Sequence, residues 1–252
     1  MKKFVKIASF ILAVCILFTL AGCGNEKKSE AKELVMGTAA AFPPYEFVDS
    51  DNNIVGIDAE IAQAVADKLG MKLTIKDMEF ESLIPAVTAG SIDVVFAGMT
   101  VTDERKKSVN FTDSYAQGIQ VVIVKEDSAI ASIDDLEGKK IGVQAGTTGD
   151  IYCTGDYGEE NVNQYTNGAL AVAALQNGQV DCVVIDNEPA KQYVKANAGL
   201  KILETEYISE DYAAAIAKDN EDLLEKVNKA MDELTEDGTI DKIIAKYINA
   251  DE

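Results

Sequence analysis

The chain has no histidine, no tryptophan, four prolines and a single arginine among its 23 basic residues. Without histidine, Ser-His-Asp and Cys-His nucleophile arrangements, His-ligated zinc and imidazole acid–base chemistry are all excluded. The basic residues are outnumbered by 43 acids, giving a net charge of −20. That balance argues against nucleic acid as a partner. Long hydrophobic runs are also lacking. The one extended apolar stretch, Ile7 to Leu20, has fourteen residues, short of the roughly 20 that span a bilayer. With 252 residues, 47% of them hydrophobic, the chain has the length and composition for one large domain or two ordinary lobes.

What is present begins with an address. Lys2, Lys3 and Lys6 precede the apolar stretch in the manner of a secretory signal. The stretch ends in Leu20-Ala21-Gly22-Cys23, which resembles the bacterial lipobox, whose cysteine is acylated and becomes the first residue of the mature chain. Residues 1–22 are therefore expected to be a lipoprotein signal peptide, with Cys23 as the lipidation site. Their removal makes the net charge three units more negative. Residues 23–33 are polar after the cysteine and read as a tether. Ten flexible residues span roughly 17 Å, from about 5–6 Å times the square root of their number. The expected location is extracytoplasmic, lipid-anchored to the cell membrane. Two further cysteines, Cys153 and Cys182, remain. The compartment permits a disulfide between them, while the apolar run around Cys182 equally suits a buried thiol.

Strand and helix patterns alternate through residues 34–208, which predicts an α/β fold with mainly parallel sheets flanked by helices. Glu33–Gly37, Lys72–Met78, Ile92–Gly98, Ile119–Lys125, Lys140–Val143 and Val180–Asp186 read as strands. Ile57, Ile61, Val65 and Leu69 recur every four residues, one face of a helix, with Gly70 where the helix should stop. Ser82–Gly90, Gly168–Gln179 and Glu188–Ala198 read as further helices. Near the C-terminus, Leu223, Leu224, Val227, Met231 and Leu234 form an apolar face that Gly238 ends, before a last helix over Thr239–Tyr247. Gly142, Gly146 and Gly149 match neither the dinucleotide fingerprint nor a P-loop, and read as a glycine-permitted turn before a helix.

The lone arginine stands out because every other basic residue is lysine. Arg105 offers a planar fork that grips a carboxylate through two parallel hydrogen bonds, which lysine cannot reproduce. It lies seven residues past Gly98, where a buried strand is predicted to end, and parallel sheets bind ligands beyond the carboxyl ends of their strands. A surface arginine paired with Asp103 or Glu104 fits the residues alone equally well.

Phe42-Pro43-Pro44-Tyr45-Glu46-Phe47, Val55-Gly56-Ile57-Asp58, Leu83-Ile84-Pro85-Ala86, Ile92-Asp93-Val94-Val95, Thr100 to Lys107, and Phe111-Thr112-Asp113-Ser114-Tyr115 follow one another in order. This series resembles the solute-binding proteins of amino-acid ABC transporters, in particular the polar-amino-acid family that includes glutamine, histidine and arginine binders. The resemblance covers residues 33–250. It implies a two-lobed periplasmic-binding-protein fold of type II. Lobe 1 is then 34–114 with 213–252, lobe 2 is 120–208, and the hinges lie about 115–119 and 209–213. It also implies a monomer without cofactor or metal that passes a free amino acid to an ABC permease.

Carried over residue by residue, the resemblance gives Arg105 the ligand α-carboxylate, with backbone N–H groups of Thr100 and Thr148. The α-ammonium falls to Asp186, the Gly98 carbonyl and the Thr100 hydroxyl. Phe42 and Phe80 become aromatic walls, with Ala97 beside them. At position 39, where glutamine and cationic-amino-acid binders carry Asp, this chain has Ala39. It has Gln144 and Ile185 where the glutamine binder has Lys and His. These departures favour a neutral or polar ligand side chain, with a cationic amino acid or cystine as the alternative. An enzyme on the same fold, such as a cyclic-acid dehydratase, and a sensory module are the readings from other classes.

Overall fold

The computed structural model describes residues 32–203 and 207–248. The signal peptide, Cys23 and nearly all of the tether lie outside the described residues.

The chain starts with β1 (Glu33–Thr38), three short strands β2 (Ala41–Phe42), β3 (Glu46–Val48) and β4 (Ile54–Val55), then helix α1 (Ile57–Leu69) and β5 (Lys72–Asp77). Next come α2 (Leu83–Thr88), β6 (Val94–Val95), β7 (Val109–Phe111) and the ten-residue β8 (Ala116–Lys125). The middle of the chain holds β9 (Ile141–Gln144), α3 (Thr148–Tyr157), β10 (Val162–Tyr165), α4 (Gly168–Gln176), β11 (Cys182–Asp186), α5 (Asn187–Ala196) and β12 (Leu200–Ile202). It closes with β13 (Ile208–Tyr212), β14 (Ala215–Ala217), α6 (Glu221–Glu236) and α7 (Thr239–Ile248).

These strands form two principal sheets. The first has the order β5-β1-β6-β14-β7 and the second β10-β9-β11-β8-β12, with β13 also on β8. Both are mixed. In each, the strands joined by helices are parallel, as such crossovers demand: β5, β1 and β6 in the first, β10, β9 and β11 in the second. Antiparallel pairing enters with β14 in the first sheet and with β8 in the second. The segments expected as hinges are hydrogen-bonded to one another: Ala116 pairs with Tyr212, Gln117 with Asp211, Gly118 with Glu210 and Ile119 with Ser209.

Helix α1 follows its sequence pattern. Ile57, Ile61 and Val65 are fully buried, and Gly70 ends the helix in the left-handed region at φ 65°. Burying each such aliphatic side chain contributes about 1.5–3 kcal/mol. Its apolar face joins Leu34 and Met36 of β1 and Val227, Met231 and Leu234 of α6 in one core, so the C-terminal helices return to the first sheet.

The strand expected over Ile92–Gly98 is only two residues long. The Asp93 carboxylate accepts the Val35 N–H at 2.7 Å, taking a donor from β1 before the ladder begins. Beyond Val95 the chain turns through Gly98 at φ 52°. Cys153 and Cys182 are free and buried in the core of the second sheet. Burial raises both thiols, Cys182 up to about 12, so neither is reactive at neutral pH.

Candidate functional site

Arg105 sits in a single 3-10 turn, Arg105–Lys107, and is only 7% exposed. Its Nη1 donates to the Thr100 carbonyl at 2.7 Å, and Nη2 donates to the Gly146 carbonyl at 3.0 Å. The guanidinium lies over the Phe80 ring, 5.3 Å from its centroid. Burial lowers the Arg105 pKa from its usual value, while the charges of Glu210 and Asp186 act in the opposite direction. Among the described residues no carboxylate forms an ion pair with it, so the alternative of a surface pair with Asp103 or Glu104 does not hold. Asp103 and Glu104 bind Lys106 and Lys107 instead.

Asp186 ends β11 and stands just before α5, yet its side chain makes no capping bond to that helix. The carboxylate instead accepts the Tyr212 hydroxyl. Burial pushes Asp186 up to about 6, with Glu210 adding to the rise and the Tyr212 and Gln120 hydrogen bonds opposing it.

Arg105 and Asp186 line one tight void of about 10 Å³, room for about one water molecule. Phe42, Phe80, Ala97, Gly98 and Thr100 line it from the side of the first sheet, and Gln144, Thr147 and Thr148 from the side of the second. The turn that presents Thr148 is built by Gly146, at φ 74°, and by Thr147, whose side chain caps α3 by accepting the Asp150 N–H at 3.3 Å. The glycine-rich turn thus serves to place a helix N-terminus at the void, where backbone N–H groups favour an anion.

Gly98 is fixed by more than its backbone angle. Its N–H donates to Asp58 Oδ2 at 2.7 Å, and a Cβ there would lie 2.8 Å from Phe42 Cε1. Asp58 also accepts the Tyr115 hydroxyl at 2.8 Å, and burial raises it to about 7. Glu46 is fully buried and also lines the void. Its pKa is raised well above the usual value, first by burial and next by the charge of Asp58.

Nine of the eleven expected ligand residues therefore line the void: Arg105, Asp186, Thr100, Gly98, Phe42, Phe80, Thr148, Ala97 and Gln144. Ala39 lines an adjoining chamber that shares Gln144 and includes Asp77, Glu79 and Asn167. Ile185 is in neither. Successive residues of a strand face opposite ways, so once Asp186 faces the void its neighbour cannot. Ile185 belongs to the core beside Gly168 and Tyr193. The sequence reading missed Glu46 and Thr147, which line the void, and Glu210, whose carboxylate accepts from the Thr100 and Thr148 hydroxyls that line it. The signal for Glu46 was an acid set among aromatic residues and prolines, whereas Glu210 lies in the polar stretch Ser209-Glu210-Asp211, which shows nothing unusual.

Among the described residues no cluster of Cys, Asp or Glu is arranged to hold a metal ion, and no helix is long and apolar enough to cross a membrane.

The model of bacterial extracellular solute-binding proteins, family 3, matches residues 34–250. The arginine-binding extracellular protein ArtP of Bacillus subtilis (strain 168) is 35% identical over 260 residues, covering 100% of both chains. ABC transporter arginine-binding protein 1 of Escherichia coli (strain K12) is 34% identical, over 85% of this chain and 90% of its own. Among solved structures, an ancestral arginine-binding protein bound to arginine has 45% identity and a TM-score of 0.82, covering 87% of this chain and 99% of that one. An ancestral arginine-binding protein bound to glutamine is similar at 44% identity and a TM-score of 0.82, over 86% and 97% of the two chains. With that match over residues 34–250 and these likenesses, the chain belongs to family 3 of the bacterial extracellular solute-binding proteins.

Proposed function

We propose that this protein binds a free L-amino acid between its lobes and delivers it unchanged to an ABC permease. The observation that carries this reading is the pairing of Arg105 and Asp186, one cation and one acid, on a single void between the two sheets. A zwitterion leaving water needs both charges met, because a buried unpaired charge costs several kcal/mol. Arg105 and the N–H groups of Thr100 and Thr148 receive the α-carboxylate. Asp186, the Gly98 carbonyl and the Thr100 hydroxyl receive the ammonium. Because the two charges come from opposite sides of the void, both are satisfied only when the lobes close, and the ligand stabilises that arrangement by its differential contacts. Bending falls to the paired segments 115–119 and 209–213, with lobe 1 at 34–114 and 213–252 and lobe 2 at 120–208.

The ligand side chain extends past Gln144 into the adjoining chamber. Asp77 stands there with its carboxylate accepting the Ala40 N–H at 2.9 Å, one residue from Ala39. An acid is thus supplied beside position 39 from the neighbouring strand. With Glu79 also lining the chamber, this favours a nitrogen-bearing polar side chain, and a cationic one is the second reading. The relatives named for arginine support the cationic reading.

The test is a thermal-shift screen of residues 24–252 against the twenty amino acids, cystine, ornithine and citrulline. A bound ligand stabilises by about 2.7 kcal/mol at a hundredfold excess over Kd. A shift with arginine supports the cationic reading, and one with glutamine alone supports the neutral one. No shift with any of them removes the amino-acid assignment, and turnover of a cyclic acid is then the assay to run. The Leu20-Ala21-Gly22-Cys23 signal supports a lipid anchor on Cys23. Cys23→Ser is expected to release the protein from the membrane fraction with its affinity intact; retention of that variant in the membrane argues against the anchor.

A further inference from the structure

One buried carboxylate beside the void belongs to neither of the opposing charges. Glu210 lies on β13, is 6% exposed, and collects three hydrogen bonds on a single oxygen. Its Oε2 accepts from Thr148 Oγ1 at 2.8 Å, Gln120 Nε2 at 3.0 Å and Thr100 Oγ1 at 3.2 Å. Thr148 opens α3, Gln120 is in β8, and Thr100 follows β6 on the side of the first sheet. The second oxygen, Oε1, is buried without a hydrogen-bond partner, and no ion pair joins Glu210 among the described residues. The nearby titratable groups are Arg105, Asp186, Tyr152 and Tyr212.

A hydroxyl has one proton to donate and two lone pairs with which to accept, whereas a carboxylate only accepts. Glu210 therefore fixes the direction of both threonine hydroxyls. Their protons point to Oε2, and the lone pairs of Thr100 are left for a donor in the void. The two threonine oxygens are 3.5 Å apart, too far for their mutual bond to compete with the shorter bonds to the carboxylate. Gln120 turns its donating amide nitrogen to the same carboxylate, and its oxygen accepts from neither threonine.

We propose that Glu210 is a positioning residue of the ligand site: by accepting from Thr100 and Thr148 together, it makes the Thr100 hydroxyl an acceptor for a ligand ammonium and ties that preference to the meeting of the two lobes. The inference rests on the amino-acid reading of the cleft. Thr100 and Thr148 come from opposite sides of the void, so the hydroxyls are set together only when both sides reach the crossing strand. The negative charge of Glu210 also adds to the attraction that Asp186 exerts on an ammonium.

The test is calorimetric titration of L-arginine and L-glutamine into the mature protein and into Glu210→Gln, from about pH 5 to about pH 8. Asp186 is faced by Tyr45, Glu46, Arg105, Glu210 and Tyr212, and only Glu210 is changed. Binding by the variant is expected to weaken about tenfold or more at the alkaline end. Its loss of affinity on acidification, set by protonation of Asp186, is expected to move to lower pH, because a neighbouring negative charge has gone. Binding within about twofold of the parent overturns the proposal, and so does weaker binding with an unmoved acid limb. If Glu210→Gln lowers the unfolding midpoint, a double-variant cycle with Thr100→Val decides. Effects that fail to add support action through Thr100, and additive effects overturn it. A parent protein that binds no amino acid overturns the reading of the cleft itself, a result distinct from an unaffected variant.

Discussion

The Arg105 guanidinium has five N–H donors. Two bonds, to the carbonyls of Thr100 and Gly146, hold its plane and reach across both sides of the void, leaving other N–H groups for a carboxylate. A lysine ammonium at the end of a flexible stem offers neither the plane nor the fork. Arg105→Ala is expected to weaken amino-acid binding by about 3–5 kcal/mol, the range for removing one partner of a buried charge pair. Titration calorimetry reads this directly, and a loss of less than tenfold means the carboxylate is bound elsewhere. Arg105 could be found in the sequence because it breaks a rule that all the lysines keep. Asp186 was legible only through the family resemblance, since an acid at the end of an apolar strand is not in itself distinctive. Glu210 could not be found, because its meaning comes from Thr100, Gln120 and Thr148, which lie far from it in the chain. Ile185 was misplaced for a simpler reason: two adjacent strand residues cannot face the same side.

Among the elements, the long helices were the most legible, since α1 and α6 carry apolar faces over several turns. The strands β2, β3, β4 and β6 are two or three residues long, too short for alternation to register. Nor could the pairing of β8 with β13 be read locally, because it joins segments about ninety residues apart in sequence. That pairing contains a tight contact. Gly118 has ordinary extended backbone, but a Cβ there would fall 2.1 Å from the Tyr212 hydroxyl oxygen and 2.4 Å from its Cζ. The same hydroxyl donates to Asp186, and the Tyr212 ring meets Tyr45 edge-on at 5.2 Å. Gly118→Ala is therefore expected to displace the phenol, to destabilise the protein by about 1–3 kcal/mol, and to weaken ligand binding as well. Denaturant unfolding and titration on one preparation check both effects; unchanged stability would mean that the phenol moves aside freely.

Across the whole molecule, the buried acids set a pH response of definite sign. Burial raises Asp58 to about 7 and Asp186 to about 6, from an ordinary 3.8. Between about pH 4 and about pH 7 the folded protein then holds more protons than the unfolded chain, so stability falls as pH rises. The net charge of −20 acts in the same direction through self-repulsion. A ligand ammonium beside Asp186 favours its charged form, so affinity strengthens as pH rises through about 6. The unliganded protein is expected to melt lower at about pH 8 than at about pH 5, while a saturating amino acid raises the midpoint more at the higher pH. Thermal unfolding with and without ligand at both values checks this, and the reverse order would contradict the assignment of Asp186 to the ammonium. The topology carries a further consequence. Every strand of the second sheet lies between Ala116 and Tyr212, and those two residues face each other across a ladder, with Cα atoms about 4.5–5.5 Å apart. A length of chain that leaves and returns at one point is a cassette. Recombination between related genes could exchange it whole, carrying Asp186, Thr148 and Gln144 together while the Arg105 half stays as it was, so that a new preference arrives in one event rather than by many separate substitutions.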